Sequence, residues 1–209
     1  HIGSQITSVA PYKRTLDAIR KIIKLSQINF DYIDLGGGFG IQYKSKDKKI
    51  DIKNYSALVQ KFQKDTNCKI IFEPGRYIVG NTGSLVSKIV FIKKNGNKYF
   101  VILDAGMNDF MRPALYNAKH EIVPVSKSKK RINGNIEFVG PICESTDTFL
   151  KYKNFSFLKE GEYVAITNVG AYGSTLSSNY NTRPLASEII VKKGKIKIIR
   201  KRQKISEII

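Results

Sequence analysis

The sequence predicts an α/β part over residues 1–80, followed by an antiparallel β domain over residues 81–209. In the first part, short apolar runs alternate with helical patterns, which is typical of a parallel sheet. After residue 80 the strand signals come close together, and Asn95-Gly96 between two of them is a strong hairpin signal. No apolar run approaches the roughly 18 residues that span a bilayer, so we expect no membrane partner.

Local patterns define the elements of the first part. Pro11 suits the first turn of a helix, and a second helix is expected to be capped by Asn54. The apolar runs at 30–35 and 69–72 predict short strands, the second of them buried. The apolar face predicted for the first helix consists of Leu16, Ile19, Ile22 and Ile23.

The second part contains strand signals throughout. The runs LVSKIVFIK and YFVILDAG flank Asn95-Gly96 and predict the first hairpin. The run at 188–199 predicts another hairpin. Further strands are expected at 121–125, 135–139 and 162–168.

The formal net charge of +19 over 209 residues raises the alternative of a nucleic-acid-binding protein. The basic runs lie at 44–49, 126–131 and 200–204, and none is interleaved with aromatic residues as a base-stacking surface would be. A lysine bias throughout the chain explains the charge equally well. We therefore expect no nucleic-acid partner.

The two cysteines, Cys68 and Cys143, lie far apart and form no CxxC pair. This spacing argues against a zinc site and against a disulfide framework, so we expect no metal. Reduced thiols are typical of the cytoplasm. Cys68 precedes an apolar strand and is expected to serve packing.

The stretch DLGGGFG at 34–40 places Gly36, Gly37 and Gly38 after a predicted strand. Without Cβ atoms, the backbone N–H groups of glycines can approach an anion closely. The stretch matches neither GxGxxG nor GK[ST], which disfavours a dinucleotide or a nucleoside triphosphate. A simple phosphate group is the expected ligand, and a flexible turn is the alternative.

In FEPGRYIVG, Glu73 ends the predicted buried strand, and Arg76 follows after Pro74 and Gly75. A buried carboxylate is costly without a partner, so we expect a cationic ring nitrogen or an arginine beside it. An ordinary Glu–Arg pair at a turn is the alternative.

Other polar and aromatic residues stand out near loops. HIGSQ opens the chain with His1 and Ser4, and an ordinary structural histidine is the alternative there. MRPALY contains Arg112 and Tyr116, and arginine is the natural partner of a carboxylate. Tyr172 lies between small residues, which lets an aromatic ring reach a ligand.

The stretch VGPICESTDTF places Cys143 and Glu144 side by side after a Gly-Pro turn, and Asp147 follows three residues later. A structural thiol does not need such neighbours. The pair therefore indicates a chemical role at a loop tip.

In this order, the stretches HIGSQ, DLGGGFG, FEPGRY, MRPALY, GPICESTD and GAYGSTLSSNYNTRP resemble the diaminopimelate decarboxylases. These enzymes belong to the fold-type III pyridoxal-phosphate (PLP) decarboxylases, with ornithine and arginine decarboxylases as relatives. The resemblance covers nearly the whole chain. It implies that residues 1–80 form the C-terminal strands and helices of an alanine racemase-like (β/α)8 barrel, and residues 81–209 a β domain. The implied reaction converts meso-2,6-diaminopimelate to L-lysine and CO2, the last step of lysine biosynthesis.

The resemblance also implies a cofactor site for PLP. His1 would stack on the pyridine ring, and Ser4 with the three glycines would hold the phosphate. Glu73 would face the pyridine nitrogen and keep it protonated, which makes PLP a better electron sink. The implied cofactor-binding residues are His1, Ser4, Gly36, Gly37, Gly38, Glu73, Pro74, Gly75, Arg76 and Tyr172.

For the substrate, the resemblance implies contacts from Arg76, Arg112, Tyr116, Glu144 and Tyr172. Diaminopimelate has a distal carboxylate, which calls for arginine, and a distal ammonium, which calls for a carboxylate such as Glu144. Cys143 would be the catalytic proton donor to Cα. In the family this loop reaches into the partner subunit's site, so the resemblance implies a homodimer.

The lysine that binds the cofactor covalently lies upstream of HIGSQ in the family, and this chain starts at HIGSQ. We therefore expect the chain to be inactive alone and to belong to a longer enzyme. A separately encoded half that joins an N-terminal half, or a decayed remnant, are the alternatives. The alternative functions are decarboxylation of ornithine, arginine or carboxynorspermidine, or a basic protein that is not an enzyme.

Overall fold

The computed structural model describes residues 1–126 and 128–209, which divide into two units, His1–Gly83 and Ser84–Ile209. Residue 127, which belongs to the basic run at 126–131, lies outside the described residues. Each unit has its own cluster of buried apolar side chains. Within the described ranges, no helix combines the length and the apolar character that crossing a membrane requires.

The first unit alternates helices and strands. Its elements are α1 (Ala10–Ser26), β1 (Tyr32–Asp34), α2 (Ile52–Thr66), β2 (Lys69–Ile71) and α3 (Arg76–Val79), followed by a 3-10 turn at Gly80–Thr82. Strands β1 and β2 pair in parallel, with Ile33 opposite Ile70. The parallel pairing expected from the alternation is confirmed for these two strands.

Helix α1 has its proline in the first turn, as predicted, and it buries Tyr12 and Leu16. The predicted apolar face is wrong at Ile22, whose side chain is 58% exposed. Each residue advances an α-helix by about 100°. Ile22, six residues after Leu16, therefore points roughly 120° away from the buried stripe, whereas Ile19 and Ile23 pack against the cluster.

Helix α2 is capped by Asp51, and the prediction of Asn54 as its cap is wrong. The Asp51 carboxylate accepts a hydrogen bond from the backbone N–H of Asn54 at 3.0 Å. The helix begins at Ile52, so Asn54 lies inside its first turn. A side chain can cap a helix only from the position before the first helical residue.

The core of the first unit is formed by the two long helices and the chain that follows β1. The buried cluster contains Tyr12, Leu16, Leu35, Phe39, Ile50, Tyr55, Val59 and Phe62. The prediction that the run at 69–72 is a buried strand is wrong, because Ile71 and Phe72 are 44% and 42% exposed. Successive residues of a strand point to opposite faces, and within this unit only the face that carries Ile70 is covered.

The second unit is built on a six-stranded sheet in the order β5-β8-β3-β4-β6-β7. Its strands are β3 (Ser84–Asn95), β4 (Lys98–Leu103), β5 (Ile122–Pro124), β6 (Arg131–Val139), β7 (Thr148–Ser156) and β8 (Tyr163–Thr167). Strands β9 (Glu188–Lys192) and β10 (Lys195–Arg200) form a separate hairpin, which confirms that prediction. Helix α4 (Arg112–Tyr116) and 3-10 turns at Ser174–Leu176, Tyr180–Thr182 and Ile205–Glu207 complete the unit.

The expectation of a purely antiparallel domain is wrong for one pair, because β4 and β6 run parallel. Between them the chain passes through α4 and β5, and β5 pairs with β8 at the far edge of the sheet. A connection of this length lets the chain re-enter the sheet in the same direction. The hairpin of β3 and β4 is confirmed, with Gly96 and Asn97 as its two loop residues.

Strand β7 was not predicted from the sequence. It contributes Phe149 and Phe155 to the core of the second unit. Lys151, Lys153 and Asn154 interrupt its apolar pattern, and its pairing with β6 contains irregularities that break a strict alternation. A search for strictly alternating apolar residues therefore misses this strand.

A buried carboxylate on β6 leads to a prediction for acid stability. Glu137 is 6% exposed, and its oxygens lie 2.9 Å from the Lys98 ammonium and 3.0 Å from that of Lys151. Burial raises the pKa of Glu137, but hydrogen bonds and charges from the two lysines outweigh burial, so its pKa is lowered. A carboxyl group with a lowered pKa in the folded state stabilises the fold above its ordinary pKa of 4.5.

We therefore expect Glu137→Gln to lower the free energy of unfolding at pH 7 by about 1–3 kcal/mol. The difference from the parent should shrink as the pH falls below the ordinary pKa of Glu137, because the parent loses its ion pairs there. Urea unfolding at several pH values measures this difference, with the exposed Glu160 changed to Gln as the control. A difference that stays constant down to strongly acidic pH would contradict the assignment.

Candidate active site

The first unit brings three of the sequence motifs together. The glycine turn at 36–38 receives the chain end from one side, where the Gly37 N–H donates to His1 Nδ1 at 3.3 Å. On the other side, the backbone N–H of Glu73 donates to the carbonyl of Gly36 at 2.9 Å. HIGSQ, DLGGGFG and FEPGR are therefore neighbours in space, although they are spread over 76 residues of sequence.

The turn requires glycine at each of its three positions. Gly36 and Gly38 have φ values of +65° and +85°, which L side chains rarely adopt. A Cβ atom on Gly37 would lie 2.2 Å from the carbonyl oxygen of Glu73, and one on Gly38 would lie 2.3 Å from that of Gly3. Backbone passes directly against backbone here, which leaves no room for side chains.

The N–H groups of this turn are partly engaged within the chain. The Gly36 N–H donates to the Asp34 carboxylate at 2.7 Å, and the Gly37 N–H is the donor to His1 described above. Within the part of the chain that the structure describes, the Gly38 N–H donates to no protein group. Gly38 is thus the glycine whose N–H is available to an anion.

The first unit also contributes a cation and a hydroxyl group. The Arg76 guanidinium lies 2.9 Å from the Ser4 hydroxyl and contacts the hydroxyl of Tyr43. Sequence reasoning found Arg76 and Ser4 but not Tyr43, which lies outside the conspicuous motifs. Tyr43 orients the arginine, because it holds one guanidinium nitrogen while Ser4 holds another.

Glu73 lies in an exposed position directly after β2, with Pro74 and Gly75 leading from it to Arg76. The expectation that its carboxylate carries a burial cost is wrong. The reason is that β2 ends at Ile71 and its outer face is uncovered. The side chain is therefore accessible to a ligand at the glycine turn.

In the second unit, Arg112 and Tyr172 are neighbours in space, although they lie far apart in the sequence. Arg112 begins α4 and is 7% exposed, and its guanidinium carbon lies 6.0 Å from the centroid of the Tyr172 ring. Tyr172 has a φ value of +58° and is about half exposed. Tyr116, at the other end of α4, is 63% exposed.

The thiol and the carboxylate of the 139–149 stretch are both exposed. The Glu144 carboxylate accepts hydrogen bonds from the Ser145 hydroxyl at 3.2 Å and from the Thr146 N–H at 3.4 Å. Asp147, by contrast, is 3% exposed. The loop therefore presents Cys143 and Glu144 outward and keeps its third acidic residue inside.

A polar cluster around Arg183 was missed from the sequence. Arg183 donates to the side chain of Asn108 at 3.1 Å and to the carbonyl of Asp104, and it lies 3.8 Å from the Asp109 carboxylate. Burial raises the pKa of Asp109, whereas the Gly106 N–H and Arg183 act in the opposite direction. Arg183 thereby joins the loop before α4 to the loop that contains Tyr172. Its place in a glycine- and serine-rich stretch gave no signal of this role.

Residues 16–170 match the model of the family described as "Pyridoxal-dependent decarboxylase, C-terminal sheet domain". Over 97% of its length, the chain is 44% identical to diaminopimelate decarboxylase from Aquifex aeolicus. The fold is similar to the crystal structure of diaminopimelate decarboxylase from Helicobacter pylori complexed with L-lysine, with a TM-score of 0.90, 39% identity and full coverage of this chain. The corresponding enzyme from M. jannaschii in co-complex with L-lysine gives a TM-score of 0.91 at 31% identity, again over the whole chain.

The chain spans about half the length of the relatives that it matches, between 49% and 52% of the three proteins described above.

Proposed function

The chain belongs to the pyridoxal-dependent decarboxylase family, and on that premise we propose that the protein converts meso-2,6-diaminopimelate to L-lysine and CO2. The observation that carries the proposal is the 44% identity to a diaminopimelate decarboxylase over 97% of the chain. The chemistry of the residues in each unit supports it, because the chain carries cationic, acidic and thiol groups suited to a doubly charged amino acid.

The residues of the first unit fit PLP as the cofactor. The Ser4 hydroxyl and the Gly38 N–H are donors that a phosphate group requires, and the Arg76 guanidinium lies 2.9 Å from that hydroxyl. The absence of Cβ atoms at the glycine turn lets the segments of Gly3 and Glu73 pack directly against it, which brings the residues next to Gly3 and Glu73 close to the turn. When bound, PLP supplies an electron sink for the electron pair that CO2 leaves behind.

Several residues would tune this sink. Glu73 would place a negative charge beside the pyridine nitrogen and keep it protonated. His1, whose ring is oriented by the Gly37 N–H, would stack on the pyridine ring. Tyr172 would lie against the cofactor or the substrate with its exposed face.

The substrate has a second amino acid group at its distal end, and the proposed contacts match both of its charges. Arg112 and Arg76 would bind carboxylate groups through their planar guanidinium forks. Glu144 would bind the distal ammonium, and Tyr116 would add a hydroxyl group. The Ser145 and Thr146 donors hold the Glu144 carboxylate in place before the substrate arrives.

Cys143 would hold the proton that replaces the lost carboxyl group at Cα. A thiol at a loop tip can approach a reacting carbon from one defined side. We further propose that this loop acts in the active site of a second copy of the protein, so that the active species is a homodimer.

Both thiols are free, in keeping with a protein that works in the cytoplasm.

The complete natural protein, supplied with PLP, tests the proposal directly. We expect release of CO2 from meso-diaminopimelate at a kcat/KM at least about 100-fold above that for ornithine, arginine or carboxynorspermidine, because only diaminopimelate has at its distal end both a carboxylate for Arg112 and an ammonium for Glu144. Preference for one of the other amino acids would replace the proposed substrate. Retention on heparin without any spectral change on adding PLP would favour the basic, non-enzymatic protein.

A second measurement tests the role of Glu73. We expect Glu73→Gln to lower kcat by roughly 10- to 100-fold with a smaller change in KM, because the neutral amide no longer favours the protonated pyridine nitrogen. Glu73→Asp, which keeps the charge on a shorter side chain, should retain more turnover than the glutamine variant. An unchanged kcat for Glu73→Gln would remove Glu73 from the mechanism.

A further inference from the structure

We propose that Asp147 is a positioning residue that holds the Cys143–Glu144 loop tip in its working conformation and couples it to the loop that leads to Arg112. The inference deepens the proposed function and rests on it for the roles of Cys143 and Glu144. Asp147 itself is not proposed to touch substrate or cofactor, because it is only 3% exposed.

The carboxylate of Asp147 links two loops through one oxygen each. Its Oδ2 accepts the N–H of Ile142, the residue directly before Cys143, at 2.8 Å. Its Oδ1 accepts the N–H of Met107 at 2.7 Å, and Met107 lies in the loop that leads to Arg112. A single buried side chain therefore fixes the backbone beside the thiol and joins it to the segment that carries the proposed carboxylate-binding arginine.

The backbone of Asp147 closes the same loop from within. Its N–H donates to the carbonyl of Glu144 at 3.0 Å, and its carbonyl accepts the N–H of Gly140 at 2.9 Å. Gly140 leaves the necessary space, since a Cβ atom there would lie 2.2 Å from Asp147 Oδ2. The loop is thus folded around the carboxylate, with Cys143 and Glu144 as its exposed residues.

The energetics favour a positional role over simple space filling. The hydrogen bonds from Ile142 and Met107 lower the pKa of Asp147, but burial is the larger effect and the pKa is raised. A buried carboxylate is therefore held at a cost, and an apolar side chain of similar size would fill the space without that cost. What an apolar side chain cannot supply is two acceptors aimed at two backbone N–H groups.

Three variants of the complete natural protein test the proposal. Asp147→Ala removes both acceptors, and Asp147→Asn keeps the shape and one carbonyl oxygen. Asp109→Asn is the matched control, because it neutralises a buried carboxylate of the same unit that accepts the Gly106 N–H and makes no hydrogen bond to the 139–149 stretch.

Amide hydrogen exchange is the readout that does not depend on turnover. We expect the N–H groups of Ile142 and Met107 to exchange at least about tenfold faster in Asp147→Ala, with an intermediate change in Asp147→Asn. Core amides such as those of Ile89 and Val101 should keep their rates, and Asp109→Asn should leave the rate of Ile142 unchanged. Unchanged exchange at Ile142 in Asp147→Ala would overturn the proposal, whether or not the protein is a decarboxylase.

The kinetic arm is a double-mutant cycle. We expect Asp147→Ala to lower kcat by roughly 10- to 100-fold in the parent and to have little further effect in a Cys143→Ala background, because it acts through the thiol. Asp147→Asn should recover part of the lost turnover. An equal loss of kcat in both backgrounds would show that Asp147 does not act through the thiol, and it would overturn the positioning role at Cys143 while leaving the proposed function intact.

Discussion

Replacing Cys143 with alanine should reduce the rate of lysine formation by at least about 100-fold, which is the lower end of the effect of a positioned general acid. The thiol is exposed at the tip of a loop that buried hydrogen bonds hold in shape. Alanine keeps this backbone but has no proton to give to Cα. We therefore expect the loss to appear in kcat, with KM changed much less.

Cys68→Ala is the matched control, because it removes the other thiol of the chain at a site that is 3% exposed. It should leave turnover per folded molecule unchanged, whatever it costs in stability. Both variants are compared by CO2 release and by lysine formation at saturating PLP. Parental turnover in Cys143→Ala would assign the proton to another group.

Replacing Gly37 with alanine should weaken PLP binding by roughly tenfold or more, since a forced overlap typically costs about 1–3 kcal/mol. The added methyl group would lie 2.2 Å from the carbonyl oxygen of Glu73. Because that neighbour is backbone, the glycine turn and the segment that carries Glu73 must move apart. Both are proposed to contact the cofactor, so the displacement acts on its phosphate and on its ring nitrogen together.

The control for this prediction is Gly96→Ala in the hairpin of β3 and β4. Gly96 also requires glycine for its φ of +56°, but a Cβ atom there meets nothing within 4 Å. This variant should lose some stability and keep its affinity for PLP. Titration of PLP by absorbance measures both variants, and equal affinities in Gly37→Ala and the parent would contradict the role of the turn.

Some features of the fold could be predicted because they are local. The proline at the start of α1, the short strands β1 and β2 and the hairpin at Gly96 all depend on residues within a few positions of one another. Where the prediction failed, long-range packing decided the outcome. The parallel pairing of β4 with β6, for example, depends on the pairing of β5 with β8, which no local sequence pattern predicts.

The residues of the candidate site show the same difference between local signals and long-range packing. Residues with conspicuous chemistry, such as Glu73, Arg112 and Cys143, stand out in the sequence and in the family motifs. Their supporting residues do not. Tyr43, Asn108 and Arg183 have ordinary neighbours in sequence. Only folding places Tyr43 against Arg76, and Arg183 against Asn108 and Asp109.

By itself, the sequence determined most of the helices and strands, the glycine turn at 36–38, and the family to which the chain belongs. These properties follow from steric limits and side-chain chemistry at single positions. The tertiary structure alone decided which carboxylates are exposed and which are buried. Glu73 faces solvent, whereas Asp147 is buried inside the loop that carries Cys143. Burial and hydrogen-bond partners come from residues far apart in the chain, and only their packing brings those residues together.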